Sequence, residues 1–126
     1  MKDMTVSKAK RYGIVSCTTR TTLREAARRM ADEDVSALVI TDEEGYLAGI
    51  ITRTDLVRAY LAGEDWGRRT ADSSMSRPVV TVTPQHKLSE VGHLLVEKHI
   101  HRVVVVQEDD GKLRPGGSNS YCPSQP

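Results

Sequence analysis

The residues of this 126-residue chain best suited to chemistry are Gly49-Ile50-Ile51-Thr52-Arg53-Thr54-Asp55. An apolar stretch, Tyr46 to Ile51, runs into the segment, and a stripe of Leu56, Val57, Tyr60 and Leu61 runs out of it. The spacing predicts a strand-to-helix junction, with Thr52 at the helix N-cap and Asp55 three residues on. Free amides and the helix dipole favour an anion at such an end, and the Thr52 hydroxyl can join in holding a phosphate. A carboxylate one turn in suits the two hydroxyls of a ribose, the division of labour seen in dinucleotide folds. Gly49 lacks a side chain, so a ligand or a neighbouring backbone can come close. A second role fits the same spacing: Thr52 and Asp55 as caps of their own helix. Spacing alone leaves both open.

Other chemistry finds little support. The histidines, His86, His93, His99 and His101, lack a further cluster of ligands, so no metal site is expected. No nucleophile and base stand in a recognisable context, so the chain is read as no enzyme. Cys17 and Cys122 lie far apart with no metal or redox spacing. Two free thiols fit a reducing compartment, Cys17 as a buried inert thiol and Cys122 exposed in the tail. Arg28-Arg29 and Arg68-Arg69 read as solvated surface. A net charge of +1, from 18 basic and 17 acidic residues, gives no excess to drive binding to nucleic acid. Phe is absent and hydrophobic residues make up 38%, so the core must be aliphatic. The apolar runs Ala37–Ile40 and Val103–Val106 fall far short of the ~20 residues of a membrane span. Residues 1–5 lack the apolar stretch of a signal peptide, and a cytoplasmic location is expected.

The elements that must position the junction occur twice. At an offset of 65 residues, Leu23, Ala26, Ala27 and Met30 meet Leu88, Val91, Gly92 and Leu95. Glu25 meets Glu90, Val35 meets Ile100 and Val39 meets Val104; Gly45 and Leu47 then meet Gly111 and Leu113 one residue later. Thr22 with Glu25 signals a capping box and a helix from about Leu23 to Glu33. Ala37–Ile40 suits a strand buried on both faces, followed by a turn at Asp42–Gly45 and a second strand. A helix from Thr52 ends at Gly63. Glu64 to Ser74 is polar and reads as a linker. Val79–Val82, a helix over about Leu88 to Lys98, and Arg102 to Gln107 repeat the pattern. Lys112 to Pro126 shows no apolar periodicity and reads as irregular.

With these runs in view, the sequence resembles a CBS domain pair, the cystathionine-β-synthase-type repeat or Bateman module, over roughly residues 12 to 113. The resemblance rests on Thr22–Ala27, Val35–Ile40 and above all Gly49–Leu56. In the second half Met75, Val80–Val82 and Ile100–Val103 fit. It implies an α+β fold of tandem β-α-β-β-α repeats packed sheet to sheet with pseudo-twofold symmetry. It also implies a sensor that binds AMP, ADP, ATP, S-adenosylmethionine or NAD in clefts between the repeats, with no cofactor required. By similarity, Thr52 contacts phosphate or ribose and Asp55 the ribose hydroxyls, within a motif that includes Gly49, Ile51 and Arg53. The adenine lies against backbone near Val15, Ser16 and Cys17, and against Ala37 at the start of the buried strand. His101 and Arg102 match a His-Arg pair that faces phosphates in some relatives, including the gamma subunit of AMP-activated kinase. Both also fit as surface residues leading into a strand.

One departure is large. After Leu113 the family's second glycine, strand, Thr/Ser and Asp are replaced by Arg114-Pro115-Gly116-Gly117-Ser118-Asn119-Ser120. The expectation is a first repeat at 1–63, a linker at 64–74, an incomplete second repeat at 75–113 lacking its final strand and helix, and an irregular tail at 114–126. Two functions follow. One is a stand-alone regulatory module for an adenosine-containing ligand, acting on an effector protein. The other is a dimerisation or partner-binding scaffold with an empty or degenerate cleft. A homodimer fits both.

Overall fold

The computed structural model describes Thr5 and residues 12–13, 15–77, 79–100 and 102–121, with backbone alone at 12–13 and 116–121. The chain divides into two compact units, Val15–Val79 and Met1–Ile14 with Val80–Pro126.

In the first unit, strand β2 (Ser16–Thr18) leads into helix α1 (Leu23–Glu33), strands β3 (Ala37–Thr41) and β4 (Leu47–Thr52), and helix α2 (Arg53–Ala62). β2 pairs parallel with β3, and β3 antiparallel with β4. Thr22 stops the loop and starts α1, its Oγ1 accepting the Glu25 N–H at 3.2 Å. Asp34 ends α1 in the left-handed region, which a short polar side chain tolerates. Within β3, Leu38, Val39 and Ile40 are all buried, as a strand covered on both faces requires. Leu23, Ala26 and Met30 of α1, Leu38 and Ile40 of β3, Ile51 of β4, and Leu56 and Ala59 of α2 form one core with Cys17 and Ala71.

The polar segment after α2 is folded against this unit. It forms 3-10 turns at Trp66–Arg68 and Ala71–Ser73. Leu23 N–H donates to Arg69 O, and Ala71 N–H to Thr21 O at 2.7 Å. The Arg24 guanidinium lies over the Trp66 ring, and Tyr60 meets the same ring edge-on. Trp66 and Ala71 supply the apolar anchors that a composition dominated by charge obscures.

In the second unit, β5 (Thr81–Val82), helix α3 (Leu88–Lys98) and β6 (Val103–Asp109) repeat the path, with β5 parallel to β6. The 65-residue offset holds in the strand pairing and at the helix C-terminal ends. Ser16 opposes Val39 and Thr81 opposes Val104. Val39 donates to Val15 O and Val104 to Val80 O, both at 3.1 Å. Asp34 and His99 both have positive φ, 54° and 53°.

One expectation needs correcting. The residues from Lys112 do not stay irregular: strand β7 (Lys112–Tyr121) returns along β6 and also pairs with β1 (Tyr12–Gly13), giving the sheet order β1-β7-β6-β5. The cause is the turn. Asp110 and Gly111 both take positive φ between the paired Asp109 and Lys112, the geometry that sends a strand straight back. Pro115 opposes Val106 while Ser120 opposes Val104, so the intervening glycines, serine and asparagine are taken up as a bulge. Among the described residues no helix follows β7. The second core is correspondingly small: Val82, Val91, Val103 and Val105 are buried, with Leu88, Leu94, Leu95 and Ile100 partly so. No helix among the described residues is long and apolar enough to cross a membrane.

Candidate functional site

At the start of α2 the sequence produces a complete reciprocal cap. Thr52 has extended backbone, and its Oγ1 accepts the Asp55 N–H at 3.3 Å. Asp55 Oδ2 accepts the Thr52 N–H at 2.9 Å and the Thr52 hydroxyl at 3.1 Å. Asp55 is a buried charged residue, 7% exposed. Its other oxygen, Oδ1, stands 3.6 Å from Nη1 of the exposed Arg58, a contact worth little in solvent. The capping role is therefore realised. It uses Oδ2 and leaves Oδ1 as the carboxylate oxygen that can take a ligand hydroxyl.

Strand register gathers several of the other expected residues around this end. Ala37 opposes Thr52, and the neighbouring Arg53 N–H donates to Ser36 O at 3.2 Å. Val15 lies just before β2, its carbonyl bonded to β3. Val15, Ala37, Thr52 and Asp55 thus share one end of the first sheet. Arg53 is exposed beside them, whereas Ile51 points into the core with no exposed surface.

Gly49 has a packing reason to be glycine. A Cβ there would lie 2.8 Å from Met75 Sδ and 3.0 Å from Ser76 O. Ile50 and Ser76 exchange both backbone hydrogen bonds across this contact. Of the two approaches that Gly49 permits, the neighbouring chain is the one seen. Sequence reasoning did not connect Met75 with Gly49, because the contact joins segments some distance apart in the chain.

Cys17 sits in the middle of β2. Its side chain turns toward the helices, and burial raises its thiol pKa, with the Arg29 charge and a Thr21 hydrogen bond opposing and Glu25 adding to the rise. It lines a groove of about 370 Å³ with Ser16, Thr18 and Thr21 and with Glu25, Arg28, Arg29 and Asp32 of α1. The four charged positions share one helix face by their spacing, a pattern that could have marked the groove in the sequence. His101 lies outside the described residues. Arg102 is half-buried just before β6, in the second unit. Among the described residues no group of three or more His, Cys, Asp or Glu could hold a metal.

A fold of two such units, with a capped helix end beside a buried parallel strand, defines a paired-repeat module of the CBS type. The CBS domain family matches residues 3–62 and 71–116, and the chain belongs to it. An uncharacterized protein of Methanopyrus kandleri is 32% identical over 114 residues, 90% of this chain and 58% of its own length. The chain thus spans little more than half of that relative. A solved CBS domain pair in complex with 5′-methylthioadenosine and S-adenosyl-L-methionine is 25% identical, with a TM-score of 0.80 over 98% of this chain and 93% of its own. A CBS domain protein of Pyrobaculum aerophilum complexed with AMP shares the fold at 22% identity, with a TM-score of 0.75 over 87% of this chain and 83% of its own.

Proposed function

We propose that the chain is a non-enzymatic regulatory module of the cytoplasm that binds an adenosine-containing ligand, AMP, ADP, ATP or S-adenosylmethionine, at the Thr52–Asp55 end of its first sheet, and so acts on an effector protein. The observation that carries the reading is the placement of Asp55. A buried carboxylate with one oxygen spent on the cap and one left over stands beside Ala37 and Val15, where a ribose hydroxyl could reach it. The related domain pair solved with two adenosine compounds supports the ligand class. In the second unit, the resemblance makes Arg102 and His101 the candidates for a phosphate contact of their own.

A thermal-shift panel tests it. A ligand at about 100 times its Kd adds about 2.7 kcal/mol, which raises Tm by roughly 10 °C in a domain of this size. Asp55→Asn keeps an oxygen for the cap and removes the charge. It should lose most of the shift, since a hydrogen bond to a charged group contributes about 1.5–3 kcal/mol. Flat melting curves for all four ligands would sink the proposal.

A second reading, a self-associating scaffold, is favoured by the outer side of α2. Val57, Tyr60 and Leu61 are 57%, 62% and 76% exposed there, at helical spacing. Light scattering that finds a strict monomer at high concentration would overturn it.

A further inference from the structure

The turn between β5 and α3 carries a histidine where its counterpart in the first unit carries a threonine. In the first unit, Thr18 N–H donates to Thr21 Oγ1 at 3.2 Å, and Thr21 N–H returns to Thr18 O at 3.1 Å. At the same offset of 65 residues, Thr83 N–H donates to Nδ1 of His86 at 2.9 Å, and His86 N–H returns to Thr83 O at 3.1 Å. β2 and β5 are both edge strands, at the ends of the orders β2-β3-β4 and β1-β7-β6-β5. In each unit the turn thus ties back a backbone donor just past an edge strand, where an unpaired donor would invite another strand.

We propose that His86 is an acid-sensitive latch on the edge of the second sheet, with Thr21 as its insensitive counterpart in the first. Nδ1 accepts the Thr83 N–H only through its lone pair, so the ring must be neutral with its proton on Nε2. Protonation puts a second proton on Nδ1. The Thr83 N–H then faces a donor and is released. The new Nδ1–H finds its acceptor in the Thr83 hydroxyl, whose oxygen already stands 2.9 Å away. The ring keeps a partner and the backbone amide loses one. A hydroxyl at Thr21 has no such second state between pH 5 and 8, the range in which histidine changes charge. Among the described residues, the charged groups nearest in the chain are Lys87, just before α3, and Glu90 in its first turn, Glu90 accepting the Lys87 N–H at 2.9 Å. β6, paired with β5 as far as Val105, carries Glu108 and Asp109 further along, Asp109 being paired with Arg114 of β7. The N-terminal segment contributes the uncharged Thr5, bridged to Lys87.

Amide hydrogen exchange of the whole chain, followed by NMR at pH 7.5 and pH 5.0 and corrected for intrinsic rates, reads both turns at once. Thr83 should lose about fivefold to tenfold of its protection on acidification, the worth of about one hydrogen bond. Thr18 should lose none. Long-range nitrogen–proton correlation of the His86 ring should show an unprotonated Nδ1 at pH 7.5. His86→Thr should leave Thr83 as indifferent to pH as Thr18. Equal protection of Thr83 at both pH values, or a proton on Nδ1 at pH 7.5, overturns the latch, and the ring measurement needs no variant to fold. Loss of protection at Thr83 that persists in His86→Thr also overturns it, because the change would then come from another group.

Discussion

Leu23 and Leu88 hold the same place in the two units, yet Leu23 has no exposed surface while Leu88 is only partly buried. Met30 and Leu95 differ in the same way. The parallel strand pairs, their register and the left-handed helix ends repeat at the 65-residue offset, so the difference does not lie in that part of the path. It lies in what covers the helix. α2 adds Leu56 and Ala59 to the first core, and among the described residues nothing plays that part in the second. The helix starts diverge as well. α1 is capped by the Thr22 hydroxyl, α3 by the Glu90 carboxylate on the Lys87 N–H, and α2 alone joins both halves of the box. A repeat can therefore conserve its fold through backbone geometry while its halves drift apart in cover.

The largest test of that contrast is truncation at the matched leucines. Leu23→Ala opens a cavity in an enclosed core and should cost about 3–5 kcal/mol by urea denaturation. Leu88→Ala should cost about half as much, because its site is already partly open. Equal losses would mean that the second helix is as well covered as the first.

Two glycines give a smaller test, of opposite sign. Gly49→Ala forces Met75 and the Ser76 carbonyl away and should destabilise by about 1–3 kcal/mol. Gly92→Ala, within α3, meets nothing within 4 Å and should stabilise by about 0.5–1 kcal/mol through helix propensity. Thermal melts of both variants settle the sign.

The smallest effect is one of pH, at Cys17, whose counterpart in the second unit is Val82. Burial makes the folded thiol ionise above the ordinary thiol range. Its contribution to stability is complete below the pKa of the unfolded thiol and is lost as pH rises through the folded one. Between pH 8 and pH 10, Cys17→Val should lose less stability than the parent chain. Identical slopes in denaturant titrations across that range would remove Cys17 as a source of alkaline instability.

Much of this was legible in the sequence. The 65-residue offset located α1, α3, β3 and β6, because helix and strand periods survive where side chains must face a core. The Thr52–Asp55 spacing located the helix start, though it could not tell a cap from a ligand site, since both use the same donors and acceptors. β7 escaped notice because it is held by backbone pairing with β6 and β1 and by the Asp110–Gly111 turn, neither of which needs alternating apolar residues. The folded segment after α2 escaped because its apolar anchors are only two, Trp66 and Ala71, set among charges.

In the proposed function Asp55 would serve twice, as cap and as ligand contact, and that double use would set a competition inside the site. Because Oδ2 holds the first turn of α2, the helix is already satisfied when no ligand is bound. A ligand that takes only Oδ1 adds its contacts to an intact helix and should bind a rigid, preformed seat. One that must draw on Oδ2 has to displace the Thr52 amide and hydroxyl, and part of its binding energy goes into unwinding the start of α2. The cap thereby acts as a filter, favouring small hydroxyl donors over ligands that demand the whole carboxylate.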